Sequence, residues 1–329
     1  MQRDLRERYE EDLALVRGAP AWLALAAALG GLAILPWVAP GYVVFTAVLV
    51  AVNTIIAVGL NLLTGYTGQI SLGHAGFVAI GAYTAGLLMG RLGAPWWTAW
   101  PAAGLAAAAF GFLVGLPALR LTGPYLTIAT LGFGIVVHQV LTNWEALSGG
   151  RMGLPVPPLA WGPEWLSAQQ RLYYLAVASA VFLIWVATNL TRSQVGRAFV
   201  ALRDSDIAAE VVGVNLTRYK TLAFAVSACY AGVAGAIFAQ ALRHLEPQSF
   251  TLMESILYFA MIVVGGLGSI PGSVIGAVVL TLLPQQLTLL REWVPVIFGT
   301  AIILMMVIEP RGLYGRWLRI RLYFKTWPL

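Results

Sequence analysis

Charge is what this 329-residue chain has least of. Only 10% of its residues are Asp, Glu, Lys or Arg, while 59% are hydrophobic. An ordinary soluble domain carries roughly 25% charged residues. A soluble fold of this composition could not cover its own surface, so that class is excluded. Cysteine occurs once, as Cys229 in an apolar run. No intrachain disulfide can form, and Cys229 reads as a small packing residue. Lysine occurs twice, as Lys220 and Lys325, and neither follows a glycine. The G-x-x-x-x-G-K-[ST] phosphate loop is therefore missing, and any ATP hydrolysis must reside on another chain.

Acidic residues are absent from the middle of every apolar stretch. Glu145, Glu164, Glu246, Glu254, Glu292 and Glu309 fall outside such stretches or at their ends. Carriers coupled to ions or protons usually place carboxylates at the membrane midplane, so a secondary transporter is the alternative rather than the main reading. An intramembrane hydrolase is more remote. Ser71 and His74 are neighbours and His138 lies elsewhere, but the run from Gly68 to Gly73 misses G-x-S-x-G by one position. No carboxylate is placed to orient a base. We therefore expect no catalytic residue, no metal-ligand cluster and no cofactor held by this chain. The net charge of +6 does not point to nucleic acid, because the basic residues sit in a few segments beside apolar runs. No cleavable signal peptide is expected, since the first long apolar run follows a stretch charged with both signs and further runs come after it.

What the chain has in abundance is long uncharged runs. A bilayer core about 30 Å thick is crossed by roughly 20 helical residues. Runs at 20–39, 41–63, 70–90, 95–118, 124–143, 171–190, 217–241, 253–268, 272–290 and 293–309 meet or approach that length. The expected fold is all-α: a polytopic bundle of about ten spans in which glycine-rich helices are broken. Arg and Lys cluster in 1–18, in 191–220 and after 310, and a ten-span model puts all three on one side. That side is the cytoplasm, with both termini inside. Residues 1–18 read as an amphipathic surface helix, 19–310 as the membrane domain and 311–329 as a basic cytoplasmic tail. The segment 144–170, with Pro155, Pro157, Pro158 and Pro163 and three tryptophans, is expected as an ordered, non-helical cap on the outer face.

Two segments carry candidate function. The first runs from Gly65 to Tyr83 and holds glycines at 65, 68 and 73 with the polar Gln69, Ser71 and His74. Glycine lets a helix break, and freed backbone at membrane depth survives only against protein or a water-lined cavity. Gln69, Ser71, His74 and Tyr83 are therefore candidates for a translocation path. Small residues at these positions equally suit tight helix crossings, and the residues alone leave both readings open. Gly65, Gly68 and Ile70 recur 200 positions later as Gly265, Gly268 and Ile270. Gly266 and Gly272 complete that second set of candidate hinges. Paired repeats with broken helices are common beside transport paths, though 35 glycines also make coincidence easy.

The second segment, Ser193 to Asn215, is a polar insertion with the periodicity of one or two short helices. Asp204, Ser205 or Asp206 can cap the second and Gly213 can end it. Arg197, Arg203, Asp204, Asp206 and Glu210 would form an exposed charged face, suited to a soluble partner or simply to solvent.

Here a resemblance becomes specific. Ala208-Ala209-x-x-x-Gly213 resembles the core of the "EAA" loop of ABC importer permeases, with Ile207 where the family has its leading Glu. The flanking Gly196-Arg197 and Ala201-Leu202-Arg203-Asp204, together with GQISLGHAGF (from Gly68), LRLTGPYLTIATLGFG (from Leu119), GGLGSIPGSVIGA (from Gly265) and PRGLYG (from Pro310), are similar to permeases of the branched-chain amino-acid ABC importers, LivM type. SGGRMGLP (from Ser148) resembles the family's external Gly-Gly segment, with Arg151 and Met152 less typical. The resemblance spans about 65–320. It implies a bacterial inner-membrane subunit working with a second, LivH-like permease, two ATPases that bind ATP and Mg, and a periplasmic binding protein. The solute it implies is a branched-chain or other hydrophobic amino acid, with amides, urea and small aromatic acids as related possibilities. The 191–216 loop would be the part that contacts the ATPase.

Overall fold

The computed structural model describes residues 19–329 apart from 118–120, 122, 160, 163–164, 287–295, 297–298, 301–302, 304–306, 308, 310–311 and 327–329. The expected helix at 1–18 and most of the expected span at 293–309 lie outside the described residues, as do Leu119, Glu164, Glu292, Pro310 and Arg311. The chain divides into two units, residues 1–44 and 45–329. The first holds α1 (Ala19–Val38) and a turn at Pro40, whose carbonyl accepts from Val43 N and Val44 N.

The remaining helices follow in order. They are α2 (Gly41–Thr67), α3 (His74–Arg91), α4 (Trp96–Gly115), α5 (Pro124–Asn143), the one-turn α6 (Glu145–Ser148), α7 (Ala168–Arg192), α8 (Gln194–Asp204), α9 (Asp206–Val211), α10 (Leu216–Leu242), α11 (Leu252–Gly265), α12 (Ile270–Gln286) and α13 (Gly312–Thr326). Among the described residues, six helical stretches are long and apolar enough to cross a membrane. They are Gly41–Thr67, Trp96–Gly115, Pro124–Asn143, Ala168–Arg192, Leu216–Leu242 and Pro247–Gly265.

The core forms where α10 packs against α3 and α4. Small residues let these backbones touch. A Cβ at Gly81 would stand 2.2 Å from Gly232 O, and one at Gly235 2.1 Å from Val78 O. Such crossings gain dispersion along the whole contact, which is what holds helices together where water provides no driving force. Cys229 lies in this seam, its Sγ packed toward Gly104. α2 joins at Gly59, against Tyr230, and reaches α12 through Asn53 Nδ2, which donates to Thr281 Oγ1 at 2.9 Å. α2 and α10 are 67% buried along their apolar windows, α5 and α7 only 17%. The latter pair is therefore peripheral.

At one end of the bundle, 144–156 is held by short elements. Two-residue strands β1 (Leu154–Pro155) and β2 (His244–Leu245) pair antiparallel, and Val156 N donates to Arg243 O at 2.8 Å. Arg91 Nη2, at the end of α3, donates to Ala146 O at 2.6 Å. The expected non-helical cap is corrected here: α6 and a 3₁₀ turn at Gly150–Met152 precede the strand. The prolines that argue against helix begin only at Pro155, so one helical turn forms before them and ends at Gly149, φ +75°.

Candidate functional site

The polar insertion folds as its capping residues dictate. Ser193 Oγ accepts from Val195 N to start α8, Ser205 Oγ from Ala208 N to start α9, and Asn215 Oδ1 from Arg218 N to start α10. Each satisfies an amide that the first turn leaves unpaired. Of the three candidate caps for α9, Ser205 is the one used. Gly213, at φ +85°, ends the turn after α9. α8 is anchored by Phe199, fully buried in a cluster with Leu63, Leu126 and Phe224. α9 does the reverse: Ile207, Val211 and Val212 are 75–81% exposed. Ala209 is buried and Ala208 exposed.

The charged residues do not form one uniform face. Arg197 is exposed and donates to the carbonyl of Arg192, the last residue of α7. Asp206 pairs at 2.6 Å with Lys220, a lysine only 7% exposed that sequence reasoning had not singled out. This pair ties α9 to α10. Arg203 Nε lies 3.5 Å from Asp204 Oδ1, while its Nη1 donates to Gly65 O at 3.2 Å.

That last bond leads to the glycine breaks. α2 ends at Thr67 and α3 begins at His74, while α11 ends at Gly265 and α12 begins at Ile270. The two interruptions, 200 residues apart, meet face to face: a Cβ at Gly65 would stand 2.3 Å from Gly268 N. Gly68 at φ +74° and Gly268 at φ +72° adopt the left-handed conformation that side chains disfavour. Gly265 and Gly272 pack on each other across the α11–α12 turn, and Gly266 meets Gly312 of α13. The paired glycines seen in the sequence are thus brought together in space. Both Gly76 and Gly272 take the third position of the helix that follows each break.

The residue that organises this junction was missed. Asn61, fully buried in α2, donates from Nδ2 to Ser273 Oγ (2.6 Å), Ser269 O (2.9 Å) and Gly266 O (3.4 Å). Its Oδ1 accepts from Gly268 N at 2.9 Å. The available signal was a pair of amides, Asn53 and Asn61, in an otherwise largely apolar span, where polar side chains act as glue between helices.

From the junction, residues 68–73 run back into the bundle. Ala75 N donates to Ser255 Oγ at 3.0 Å. Ser255 precedes Gly265 by ten helical residues, about 15 Å along the α11 axis and half of a bilayer core. α3 thus starts at depth, against α5: Leu72 N donates to Thr130 Oγ1 at 3.1 Å, and Gly73 abuts Thr130 O. Here Ser71 and His74 are fully buried, and neither Ser71 Oγ nor either ring nitrogen of His74 has a hydrogen-bond partner. Gln69 Nε2 donates to Thr67 Oγ1 at 3.2 Å, while its Oε1 is unpaired. His138, by contrast, pairs through Nδ1 with Pro247 O at 3.1 Å. Tyr83 stands apart from the group, its hydroxyl donating to Leu245 O at the far end of α3.

Beside the start of α3 lies a cavity of about 300 Å³, with Leu72, Leu131, Ile135, His138, Phe250 and Ser255 in its wall. The first turns of α3 and α11 both open onto it, and neither N-terminus has a side-chain cap. Among the described residues no group of three or more His, Cys, Asp or Glu could hold a metal ion.

Long apolar helices, two breaks clasped together, a largely apolar cavity between helix N-termini and a polar helix pair against the junction are the parts of a membrane permease. Comparison with known proteins identifies which kind. Residues 42–308 match the family described as "branched-chain amino acid transport system / permease component", and the chain belongs to that family. It is 37% identical to the high-affinity branched-chain amino acid transport system permease protein LivM of Salmonella typhimurium (strain LT2), over 81% of this chain and 68% of that one. It is 27% identical to the corresponding LivH of Escherichia coli (strain K12), over 80% and 91% of the two chains. The autoinducer 2 import system permease protein LsrC of Escherichia coli O9:H4 is 28% identical over 61% of this chain and 60% of its own. No solved structure matches. The chain is therefore a multi-pass permease component of that family, similar to both LivM and LivH.

Proposed function

We propose that this chain is one of two permeases in an ATP-driven importer of branched-chain or other aliphatic amino acids in the bacterial inner membrane. The observation that carries this is the apolar knob of α9, Ile207, Val211 and Val212, exposed on a helix otherwise fixed by its Ser205 cap and the Asp206–Lys220 pair. Exposed aliphatic side chains amid charge mark a docking site for a soluble partner. That partner is an ATPase which binds the ATP and Mg that this chain does not hold. In this reading the chain has ten spans with both termini in the cytoplasm, and its partners are a LivH-like permease, two ATPases and a periplasmic binding protein docking near 144–170. No nucleic acid is involved. The relatives' printed names support the solute class. The cavity also fits it: uncapped helix N-termini favour a carboxylate, and Leu131, Ile135 and Phe250 suit an aliphatic side chain. Gln69, Ser71 and His74 would serve the path where irregular backbone needs polar company.

The test is uptake in proteoliposomes holding both permeases, both ATPases and the binding protein. Leucine should accumulate on addition of ATP. Ile135→Trp, which narrows the cavity from an exposed position, should weaken leucine transport about tenfold while smaller solutes suffer less. A cysteine at Ala208 should cross-link to the ATPase, and a protease site inserted in 144–170 should be cut from outside intact spheroplasts. Labelling of position 208 from the periplasm would overturn the topology. Uptake driven by an ion gradient without ATP would favour the secondary transporter.

A further inference from the structure

We infer that Arg203 is a positioning residue that clamps both glycine breaks and carries motion of the α8–α9 pair onto them. The inference rests on the reading that α9 receives the ATPase. Sequence reasoning placed Arg203 on the outward charged face of that loop, but its contacts point the other way. Its Nη1 donates to Gly65 O at 3.2 Å, and a Cβ on Gly268 would stand 3.0 Å from the same nitrogen. A Cβ on Gly68 would meet Arg203 Cγ, Cα and Cβ at 3.3, 3.4 and 3.7 Å. One side chain therefore touches the end of α2, the strained turn after it and the turn between α11 and α12.

The helix that carries it is held in place. Phe199 and Leu202 bury α8 against the bundle, while Asp204 Oδ1 lies 3.5 Å from Arg203 Nε in an exposed pair. The next residue, Ser205, starts α9 and its exposed knob. Only the Ser205 link separates the surface a partner would push from the guanidinium that holds the breaks. Arginine suits this place because its planar fork presents several fixed donors, whereas lysine presents a point charge on a flexible stem. Gly65 and Gly268 contact each other directly. Moving Arg203 would thus let both breaks shift together, and α3, which starts from the first break, would shift with them beside the cavity.

The experiment uses the complete complex in detergent and in proteoliposomes, with Arg203→Gln and Arg203→Lys. Amide hydrogen exchange reads the breaks directly, whatever the solute. Gly68 N, bonded to Thr64 O, and Gly268 N, bonded to Asn61, report on the two turns. Arg203→Gln should speed exchange about tenfold at both 65–70 and 266–269. The ATPases should still co-purify and hydrolyse ATP, with solute moved per ATP falling about tenfold. Arg203→Lys should retain protection at 65–70 and lose it at 266–269. Unchanged exchange at both segments overturns the inference, as does release of the ATPase without a change in exchange, which would make Arg203 a docking contact. If the wild-type complex hydrolyses ATP but moves no amino acid, the solute assignment fails while exchange still decides the role of Arg203.

Discussion

The two glycine breaks resemble each other in sequence and differ in chemistry. At 266–269 the carbonyls of Gly266 and Ser269 and the amide of Gly268 are all bonded to Asn61. At 68–73 the backbone is partly paired, through Gly68 N, Gln69 N and Leu72 N, but Ser71 Oγ, both His74 nitrogens and Gln69 Oε1 face no protein partner. A buried polar atom left unpaired costs about 1–3 kcal/mol. A fold keeps such groups where they serve something other than stability. The second break is a clasp. The first leaves four buried polar atoms without a protein partner, and none of Gln69, Ser71 or His74 lines the cavity.

The largest effect should come from breaking the clasp. Asn61→Leu removes the bond from Gly268 N and both donors of the Asn61 amide, and at about 0.6 kcal/mol for each of these three in a membrane bundle the loss is about 1.8 kcal/mol. It also strands the Gly268 amide. Thermal unfolding of the detergent-purified protein should show it, and an unchanged midpoint would show that the junction does not depend on Asn61. A smaller effect should follow from Gly68→Ala and Gly268→Ala, each about 1–2 kcal/mol for forcing a side chain into left-handed backbone. The two should be separable. Gly268→Ala presses on Arg203 Nη1 at 3.0 Å and on the Gly65 carbonyl at 3.2 Å, whereas Gly68→Ala first meets Arg203 Cγ at 3.3 Å, so Gly268→Ala should cost more. Equal costs would mean that Arg203 Nη1 and the Gly65 carbonyl both yield.

The smallest change in stability, and the sharpest contrast, should come from the first break. Ser71→Ala and His74→Leu remove unpaired polar atoms, so unfolding midpoints should hold or rise by up to about 1 kcal/mol equivalent. Leucine uptake should nevertheless fall. Loss of stability with uptake retained would make both residues packing elements and erase the difference between the breaks. Gly213→Val provides a reference outside both. No atom lies within 4 Å of a Cβ there, so only the φ of +85° is penalised, at about 1 kcal/mol.

Much of the fold was legible beforehand because its signals are local. Apolar runs mark α2, α4, α5 and α10, and Ser193, Ser205 and Asn215 set the starts of three helices through bonds spanning two or three residues. Boundaries at the breaks were less legible: the third apolar run begins at 70 in the sequence, but α3 begins at His74, because Leu72 and Gly73 are held by Thr130 of α5. The site was half legible. Its glycines and its unpaired trio stand out by composition, whereas Asn61, Lys220 and Ser255 look like ordinary single polar residues until their partners are known.

By itself, then, the sequence determined that this is a membrane chain, where its polar helix pair lies and which family it joins. Hydrophobic run length, capping residues and motif order are each read over a few neighbouring positions. Tertiary structure decided that Gly65 meets Gly268, that Asn61 satisfies the second break and not the first, and that Arg203, though its side chain is 44% exposed, bonds Gly65 O. Those contacts join residues 138 to 212 positions apart. At such separations no local preference selects the partner; packing of the whole bundle does, by leaving one place where each buried polar group can be satisfied.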